Sequence, residues 1–420
     1  MCPMRTQLSI NGENFLLNGR LTYSEIPGSN AKMHGLLMNA RFIQGIFDDK
    51  ADPRRFDRFG KVFDPEKNTD DLISALPQWY AMGMRAITVG MQGGGPCFTV
   101  SNGDIVNNPF SPDGTQIDPA YLSRLTRLLD AADELGMVVI VSALYCGQIR
   151  HLDGAKGVLN AITAACRFLR EGGWKNIIFE PANEYDISLF QDYPLVNTHQ
   201  GMVALLELAR KESGLPVGCS GGGGSLNPEV ARASDVILFH GNGQTRQDMV
   251  RCIRNARQWA PGKPIVCNED SPAVTNLQVC MDHHVSWGYY NALSKQELAT
   301  DWGILPGEDT FFALRMAENL GIPVTKPSEN EALRLMGLTR DECWNGRCWP
   351  RVAALYPEKI NFVDWYLNGE HLFRSYEDPF SLYYRSNWIH DPLYATEGML
   401  EARVTFRTGE QKTLKGTIGA

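Results

Sequence analysis

The stretch Asp118-Pro-Ala-Tyr-Leu-Ser-Arg-Leu-Thr-Arg-Leu-Leu-Asp-Ala-Ala-Asp-Glu-Leu-Gly136-Met-Val-Val-Ile-Val-Ser-Ala143 decides the fold. It reads as one helix followed by one strand. Tyr121, Leu122, Leu125, Leu128 and Leu129 fall on one stripe at helical spacing. Asp118 stands in the N-cap place, with Pro119 at the first helical position, where a missing N–H costs nothing. Gly136 takes the C-cap place. The short apolar run that follows is the clearest strand signal in the chain.

The same unit recurs on both sides. Apolar runs at 38–44, 86–90, 137–143, 176–180, 215–220, 235–240, 264–268 and 285–289 alternate with longer helical patterns, among them 155–169 and 201–212. Such alternation marks a parallel sheet built from strand–helix units. Eight units close a barrel, whereas six would favour a doubly wound sheet. The predicted fold class is therefore α/β, a (β/α)8 TIM barrel.

Two flanking parts complete it. Residues 7–23 carry Asn11-Gly12 and Asn18-Gly19 between apolar runs, a strong hairpin signal, and are expected to cover the N-terminal mouth of the barrel. From about 355 the helical period is lost. Strands are expected at 360–369, 380–384 and 399–406, in a small antiparallel β-sandwich. The predicted division is 1–325 for barrel and hairpin, 326–354 for a connector with one short helix, and 355–420 for the sandwich. The strand running into Asn368-Gly-Glu370 and the later Ala402-Arg-Val-Thr-Phe406 resemble bacterial immunoglobulin-like modules.

Composition sets limits. The 420 residues suffice for a barrel of ~250 plus a further module. A hydrophobic fraction of 43% and a charged fraction of 21% are those of an ordinary globular protein. The net charge of −8, without a basic run, gives no support for nucleic-acid binding. No run approaches the ~18 apolar residues of a membrane helix, and residues 1–10 lack the apolar core of a signal peptide. A soluble protein without membrane contact is expected, its location left open between the cytoplasm and export with a leader removed. Oligomeric state is also left open.

Among ten cysteines, Cys146, Cys166 and Cys267 lie in apolar runs and read as small buried hydrophobes. Cys343 and Cys348 flank a Gly-containing turn. A local disulfide is one outcome and two free thiols the other; the spacing is wrong for a zinc knuckle.

The chemistry is expected at two glutamates. Asn176-Ile-Ile-Phe-Glu-Pro-Ala-Asn-Glu184 ends the fourth run, and Pro264-Ile-Val-Cys-Asn-Glu269 ends the seventh. If the runs are parallel barrel strands, both carboxylates sit at the C-terminal rim, where barrel enzymes keep their active sites. Two carboxylates across one cleft are the minimal equipment for cleaving a glycosidic bond. Glu184 can then serve as proton donor, and the Asn183 amide can bond a sugar 2-hydroxyl; Glu269 is the nucleophile if the enzyme is retaining, at ~5–5.5 Å from Glu184, whereas an inverting enzyme needs ~6.5–9.5 Å with room for water. Asp270 diverges from its neighbour and is expected to support it. No metal or organic cofactor is required. The partner is an oligo- or polysaccharide.

With these residues in place, the chain resembles the clan A retaining glycoside hydrolases, the (β/α)8 group that includes family 5. Members carry an acid/base Glu after strand four, usually preceded by Asn, and a nucleophile Glu after strand seven. Asn183-Glu184 and Glu269 match those positions. The resemblance further implies a substrate-site role for His240, at the end of run six, and a sugar-flooring role for Trp287 in run eight. It covers roughly 36–300 at the level of pattern. The family's Arg near the end of strand two is absent, since Thr88 stands there; Arg41 on run one is a candidate replacement. Gln92-Gly-Gly-Gly-Pro96 is also unlike family 5, which suggests a less studied branch.

Other rim residues are weighed against plainer roles. Gln92 and Gln148 follow runs two and three and could read sugar hydroxyls or only brace loops. Tyr289 could line the same wall as Trp287 or pack in the core, and Tyr145 is candidate apolar wall. Asp48 and Asp49 could bind hydroxyls or calcium, or be surface charge. His283 and His284 are expected to be structural. Gly221 to Gly224 lacks the Gly-Lys-Ser/Thr of a phosphate loop and reads as a loop. Two rival functions remain open: a non-catalytic carbohydrate-binding protein on the same scaffold, and a metal-dependent hydrolase using Asp48, Asp49 and His240.

Overall fold

A computed structural model describes residues 5–58, 60–96, 98–328, 331–384 and 391–419. Its centre is a curled parallel sheet of seven strands: β1 Asn39–Arg41, β2 Ala86–Gly90, β3 Val138–Leu144, β4 Ile177–Ala182, β5 Ile237–His240, β6 Ile265–Glu269 and β7 Ser286–Tyr289. The spatial order is β4-β3-β2-β1-β7-β6-β5. The longer helices of this part are α1 Pro65–Ala81, α2 Pro119–Leu135, α3 Gly154–Gly172, α4 His199–Ser213, α5 Pro228–Ala233, α6 Arg246–Trp259, α7 Val274–Asp282 and α8 Glu308–Leu320, with α4 and α5 both between β4 and β5. The α2 signals read from sequence hold: Asp118 accepts the amide of Ala120, and Gly136 adopts φ 86°.

The predicted strand at 215–220 is only partly realised. Pro216 cannot donate to a ladder, and a single regular bridge, Phe179 to Val217, forms there. Backbone bonds nevertheless run across it. Phe179 N donates to Pro216 O at 2.9 Å and Gly218 N to Phe179 O at 3.1 Å. On the other side Asp235 N donates to Val217 O at 2.8 Å. This segment therefore lies between β4 and β5, the two edges of the sheet.

Side chains alternate with the period-two geometry of strands. Ala86, Val138, Ile140, Ile178, Leu238 and Val266 share one small core, while Ile87, Val89, Val139, Val141, Ile177 and Phe239 pack in the large core with residues of the helices. The first set faces the axis of the curl. The N-terminal hairpin, Leu8–Asn11 against Asn14–Leu17, plugs its base: Leu8 and Phe15 join the inner core, and Leu8 N donates to Lys175 O at 2.9 Å. His284 bonds Lys32 O and Asn14 Oδ1, both at 3.0 Å, and so is structural.

The C-terminal part is antiparallel. A four-stranded sheet runs in the order 370–375, 360–367, 399–406, 411–417. The expected connector 326–354 contains no helix among its described residues. It supplies strands instead: Leu333–Met336 pairs with Arg351–Ala354, and Leu333, Leu338, Cys348 and Val352 belong to the module's own core. The β-module thus begins near 333 rather than 355. Residues 380–384 are not the expected strand. Phe380 and Tyr383 have φ of 49° and 62°, outside strand geometry, and Ser381 makes one isolated bridge to Arg351. Cys343 and Cys348 are disulfide-bonded across a two-residue turn, Cα atoms 4.5 Å apart.

No helix among the described residues is long and apolar enough to cross a membrane.

Candidate active site

Four charged groups meet at the C-terminal ends of β1, β4, β5 and β6. Each arrives by a separate local device. Arg41 shares the inner face of β1 with Asn39, two residues earlier. Glu184 follows β4 on a turn where its own φ is 53°, the left-handed region that costs a residue with a Cβ about 1–2 kcal/mol. Such strain is kept where surrounding structure over-determines it, often at functional sites. Here Ser220 holds the turn: its Oγ lies 3.2 Å from Glu184 N and donates to Glu180 Oε1 at 2.6 Å. Asp186 fastens the facing glycine loop by accepting Gly222 N at 2.8 Å.

Glu269 is aimed by a bulge. Phe239 pairs with Cys267, but His240 pairs with Glu269, so Asn268 is an extra residue in β6. Strict alternation from Val266 would turn Glu269 toward the helices; the inserted residue restores it to the side of His240. Asn268 is buried, and neither of its amide atoms has a hydrogen-bond partner.

The resulting geometry is tight. Arg41 Nη1 lies 2.6 Å from Glu269 Oε2 and donates to Asn183 Oδ1 at 3.0 Å. His240 Nδ1 lies 2.9 Å from Glu184 Oε1 and 3.4 Å from Glu269 Oε2. Asn242 Nδ2 donates to Glu269 Oε1 at 2.7 Å. One oxygen of each glutamate and the His240 nitrogen all lie within 4.8 Å of one another. The Glu184 side chain is 22% exposed, those of Glu269 and His240 7% and 0%. Glu184 alone can exchange protons readily with solvent.

Electrostatics follow from this packing. Burial lifts the Glu269 carboxyl above the ordinary glutamate value, against the pull of Arg41, His240 and the Asn242 amide. Burial also lifts Glu184, but the hydrogen bond and charge of His240, with Arg41 behind, leave it below that value. Burial opposes charge on His240, yet Glu269 and Glu184 hold it above the ordinary imidazole value. The imidazole is a shared proton between two carboxylates. Glu184, Glu269 and His240 titrate as one cluster beside the permanent charge of Arg41.

Of the residues picked from sequence, Glu184, Glu269, His240, Asn183 and Arg41 come together. The others do not. Trp287 is fully buried and donates Nε1 to Asp270 Oδ2 at 2.7 Å, so it offers no open face to a sugar. Tyr289 stacks on Phe312 at 4.3 Å and bonds Asp309 at 2.7 Å inside the core. Gln92 is consumed by Tyr145 N at 2.9 Å and Asn108 Oδ1 at 2.8 Å. Gln148 is consumed by Asn107 N at 3.0 Å and Ile105 O at 3.1 Å. Both glutamines brace the loop after β2. Asp48 faces Arg124 at 3.6 Å and Asp49 faces Arg55 at 2.7 Å. They do not join His240, so no metal set of Asp48, Asp49 and His240 exists.

Three site residues escaped the sequence reading. Asn242 lies in Gly241-Asn-Gly243 directly after His240, a position that could have flagged it. Tyr290 stands under Arg41, 5.4 Å from guanidinium to ring centre. Ser220 was absorbed into a strand. Arg41 had a usable signal, since a lone arginine inside an apolar run must find a partner.

No family model matches the sequence, and no curated protein matches it. Solved structures that are similar in course include a β-glucuronidase of Parabacteroides merdae, at 12% identity and a TM-score of 0.44, covering 99% of this chain and 50% of that one. An FMN-binding β-glucuronidase of Facaelibacterium prausnitzii L2-6 gives 12% and 0.45, covering 99% and 58%. An endo-β-1,4-mannanase of Thermotoga petrophila gives 11% and 0.44, covering 91% and 96%. The chain thus spans about half the length of the two glucuronidases. Likeness of this degree says nothing of its substrate.

Proposed function

We propose that the chain is a glycoside hydrolase that cleaves β-glycosidic bonds in an oligo- or polysaccharide with retention of configuration. Its scaffold in this reading is a closed (β/α)8 barrel, with 215–218 as the eighth stave, carrying an immunoglobulin-like module. One observation carries the proposal: an oxygen of Glu184 and one of Glu269 approach within 4.8 Å on two facing strand ends. A closest oxygen approach this short favours the ~5–5.5 Å carboxyl spacing of retaining enzymes over the ~6.5–9.5 Å of inverting ones, which admit a water between the groups.

In this reading Glu269 attacks the anomeric carbon and the glycosidic C–O bond breaks. Arg41 and Asn242 favour the ionised form that attack requires. The departing oxygen takes a proton from Glu184. His240, 2.9 Å away, can resupply that proton to Glu184. The ester at Glu269 removes one negative charge, and Glu184 then takes a proton from the water that frees the sugar.

The test is a screen of aryl β-glycosides and β-linked oligosaccharides, with the anomer of the first product read by NMR. Turnover with a β-anomer first, lost in both Glu184→Gln and Glu269→Gln, is expected. An α-anomer first, or full activity in either variant, sinks the assignment.

A further inference from the structure

Outside the glutamate pair, a cavity lined by both polar and apolar groups lies where barrel meets β-module. It has a volume of about 370 Å³, within the range of small-ligand sites. Thr99 from the loop after β2 and Asn291 and Asp301 from the loop after β7 form one wall. Arg334, Asp341 and Trp344 of the β-module form the other. Both barrel loops belong to the rim that carries Glu184 and Glu269.

Three observations make it more than a packing gap. Trp349 lines it, and its indole Nε1 is a buried donor with no hydrogen-bond partner, in a residue only 4% exposed. An unmet buried donor costs about 1–3 kcal/mol and calls for an acceptor. Arg334 and Asp341 are exposed and form no ion pair among the described residues, so a fork of donors and a pair of acceptors are both available. Finally, a smaller space lined by Asn291, Leu293 and Arg351, which also line this cavity, extends to Tyr290 and Asp270, the neighbours of Arg41 and Glu269.

A ligand for these walls must both accept and donate, since Arg334 and Asp341 line the same cavity, and the excess of carboxylates over cations in its lining disfavours an anion. Sugar hydroxyls do both, and aromatic faces suit the ring C–H surface. We propose that the junction cavity binds a neutral pyranose unit of the glycan, away from the bond that is cut, so that the β-module forms part of the substrate cleft. This rests on the glycosidase reading and extends it. The unit could be a distal residue of the substrate chain or a free monosaccharide, which the test separates.

The test uses the full chain in the Glu269→Gln background, titrated by calorimetry with cellohexaose, mannohexaose, xylohexaose and laminarihexaose, and with glucose, mannose and xylose. Arg334→Ala and Asp341→Ala remove exposed, ion-pair-free groups, and Trp344→Ala is the bolder variant. A Kd for one hexasaccharide that weakens at least fivefold in Arg334→Ala and Asp341→Ala supports a distal subsite. In otherwise wild-type enzyme the same changes should raise KM for that oligosaccharide and leave an aryl monoglycoside unaffected. Binding of a monosaccharide alone, lost in the same variants, assigns the cavity to a free sugar. An unchanged hexasaccharide Kd in all three variants, without monosaccharide binding, overturns the inference while leaving the glycosidase intact. Absence of both turnover and hexasaccharide binding in the parent chain removes the glycosidase reading and this one together.

Discussion

Two arcs of the same rim behave in opposite ways. On the arc of β1, β4, β5 and β6, Arg41, Glu184, His240 and Glu269 converge, with several polar atoms left unmet, including His240 Nε2 and Arg41 Nε. On the arc of β2, β3 and β7, Gln92, Gln148, Trp287 and Tyr289 are as polar by type. Each is already bonded to its own loops, or to Asp270 and Asp309. Position at a strand end therefore does not make a residue functional. What distinguishes the arcs is whether the fold has used up the hydrogen-bonding capacity of the side chain. Among these residues, Arg41 and His240 on the first arc keep unmet valence, whereas Gln92, Gln148, Trp287 and Tyr289 spend theirs on loops and core carboxylates.

The sharpest way to break the comparison is to neutralise the first arc. Glu269→Gln keeps the Asn242 contact but removes the attacking charge, and turnover should vanish. Glu184→Gln should lose about 10²–10⁴-fold on substrates with poor leaving groups, the usual worth of general acid–base help. Substrates with good leaving groups should suffer less in the first step. Steady-state rates on an aryl glycoside and a matched disaccharide measure this. Equal losses on both would mean that Glu184 is not the acid.

Much of this arrangement was legible in the sequence, and the misses share a cause. Strand runs and the caps of α2 are local signals, read correctly from Asp118, Pro119 and Gly136. The hairpin at Asn11-Gly12 was equally local. The run 215–220 failed as a regular strand because Pro216 removes a ladder donor. Residues 333–354 were taken for a connector because strands of two to four residues carry no visible period. Asn183, Glu184 and Glu269 were picked out by position, and the fold brings them together around Arg41 and His240. The direction of Glu269, however, depends on the bulge at Asn268, and a bulge has no sequence signature here. Trp287 was misjudged, and the choice between wall and core for Tyr289 stayed open, because their partners Asp270 and Asp309 lie 17 residues back and 20 residues on in the chain. The sequence holds the residue types, and only the fold says which valences remain.

Arg41 tests whether the charged arc is also a structural element. Its guanidinium and Glu269 are both almost dry, so breaking the pair strands a buried carboxylate. Arg41→Met is expected to cost about 3–5 kcal/mol in denaturant unfolding. It should also move the acid limb of the activity profile to higher pH. The sign follows from Arg41 drawing the Glu269 pKa down: without it the nucleophile protonates sooner as pH falls. A stable variant with an unmoved limb would mean that Arg41 and Glu269 are not coupled.

His240 gives a subtler test. Its folded value lies above the ordinary imidazole value because Glu269 and Glu184 outweigh burial. Stability from this proton is complete below about pH 6.5, the unfolded value. It is lost as pH rises through the folded value. Wild type should therefore lose stability as pH rises from about 6.5 to the folded value, and His240→Asn should lose that slope. Thermal unfolding from pH 5 to 9 reads it. An identical slope in the variant would place the titrating proton elsewhere, with Asp270 the first suspect, since burial pushes it up to about 7.

The smallest expected effect decides the other arc. Trp287→Phe keeps a ring in the core but strips the donor from Asp270, whose carboxylate stays buried without it. An unmet buried acceptor costs about 1–3 kcal/mol, so the denaturation midpoint should fall. With the indole remote from substrate, KM should hold near the wild-type value. Tyr289→Phe should behave alike through Asp309. If Trp287→Phe instead raised KM sharply and left stability untouched, the indole would be touching sugar. The two arcs would then differ in degree only, and counting unused hydrogen-bonding capacity would be the wrong way to find this active site.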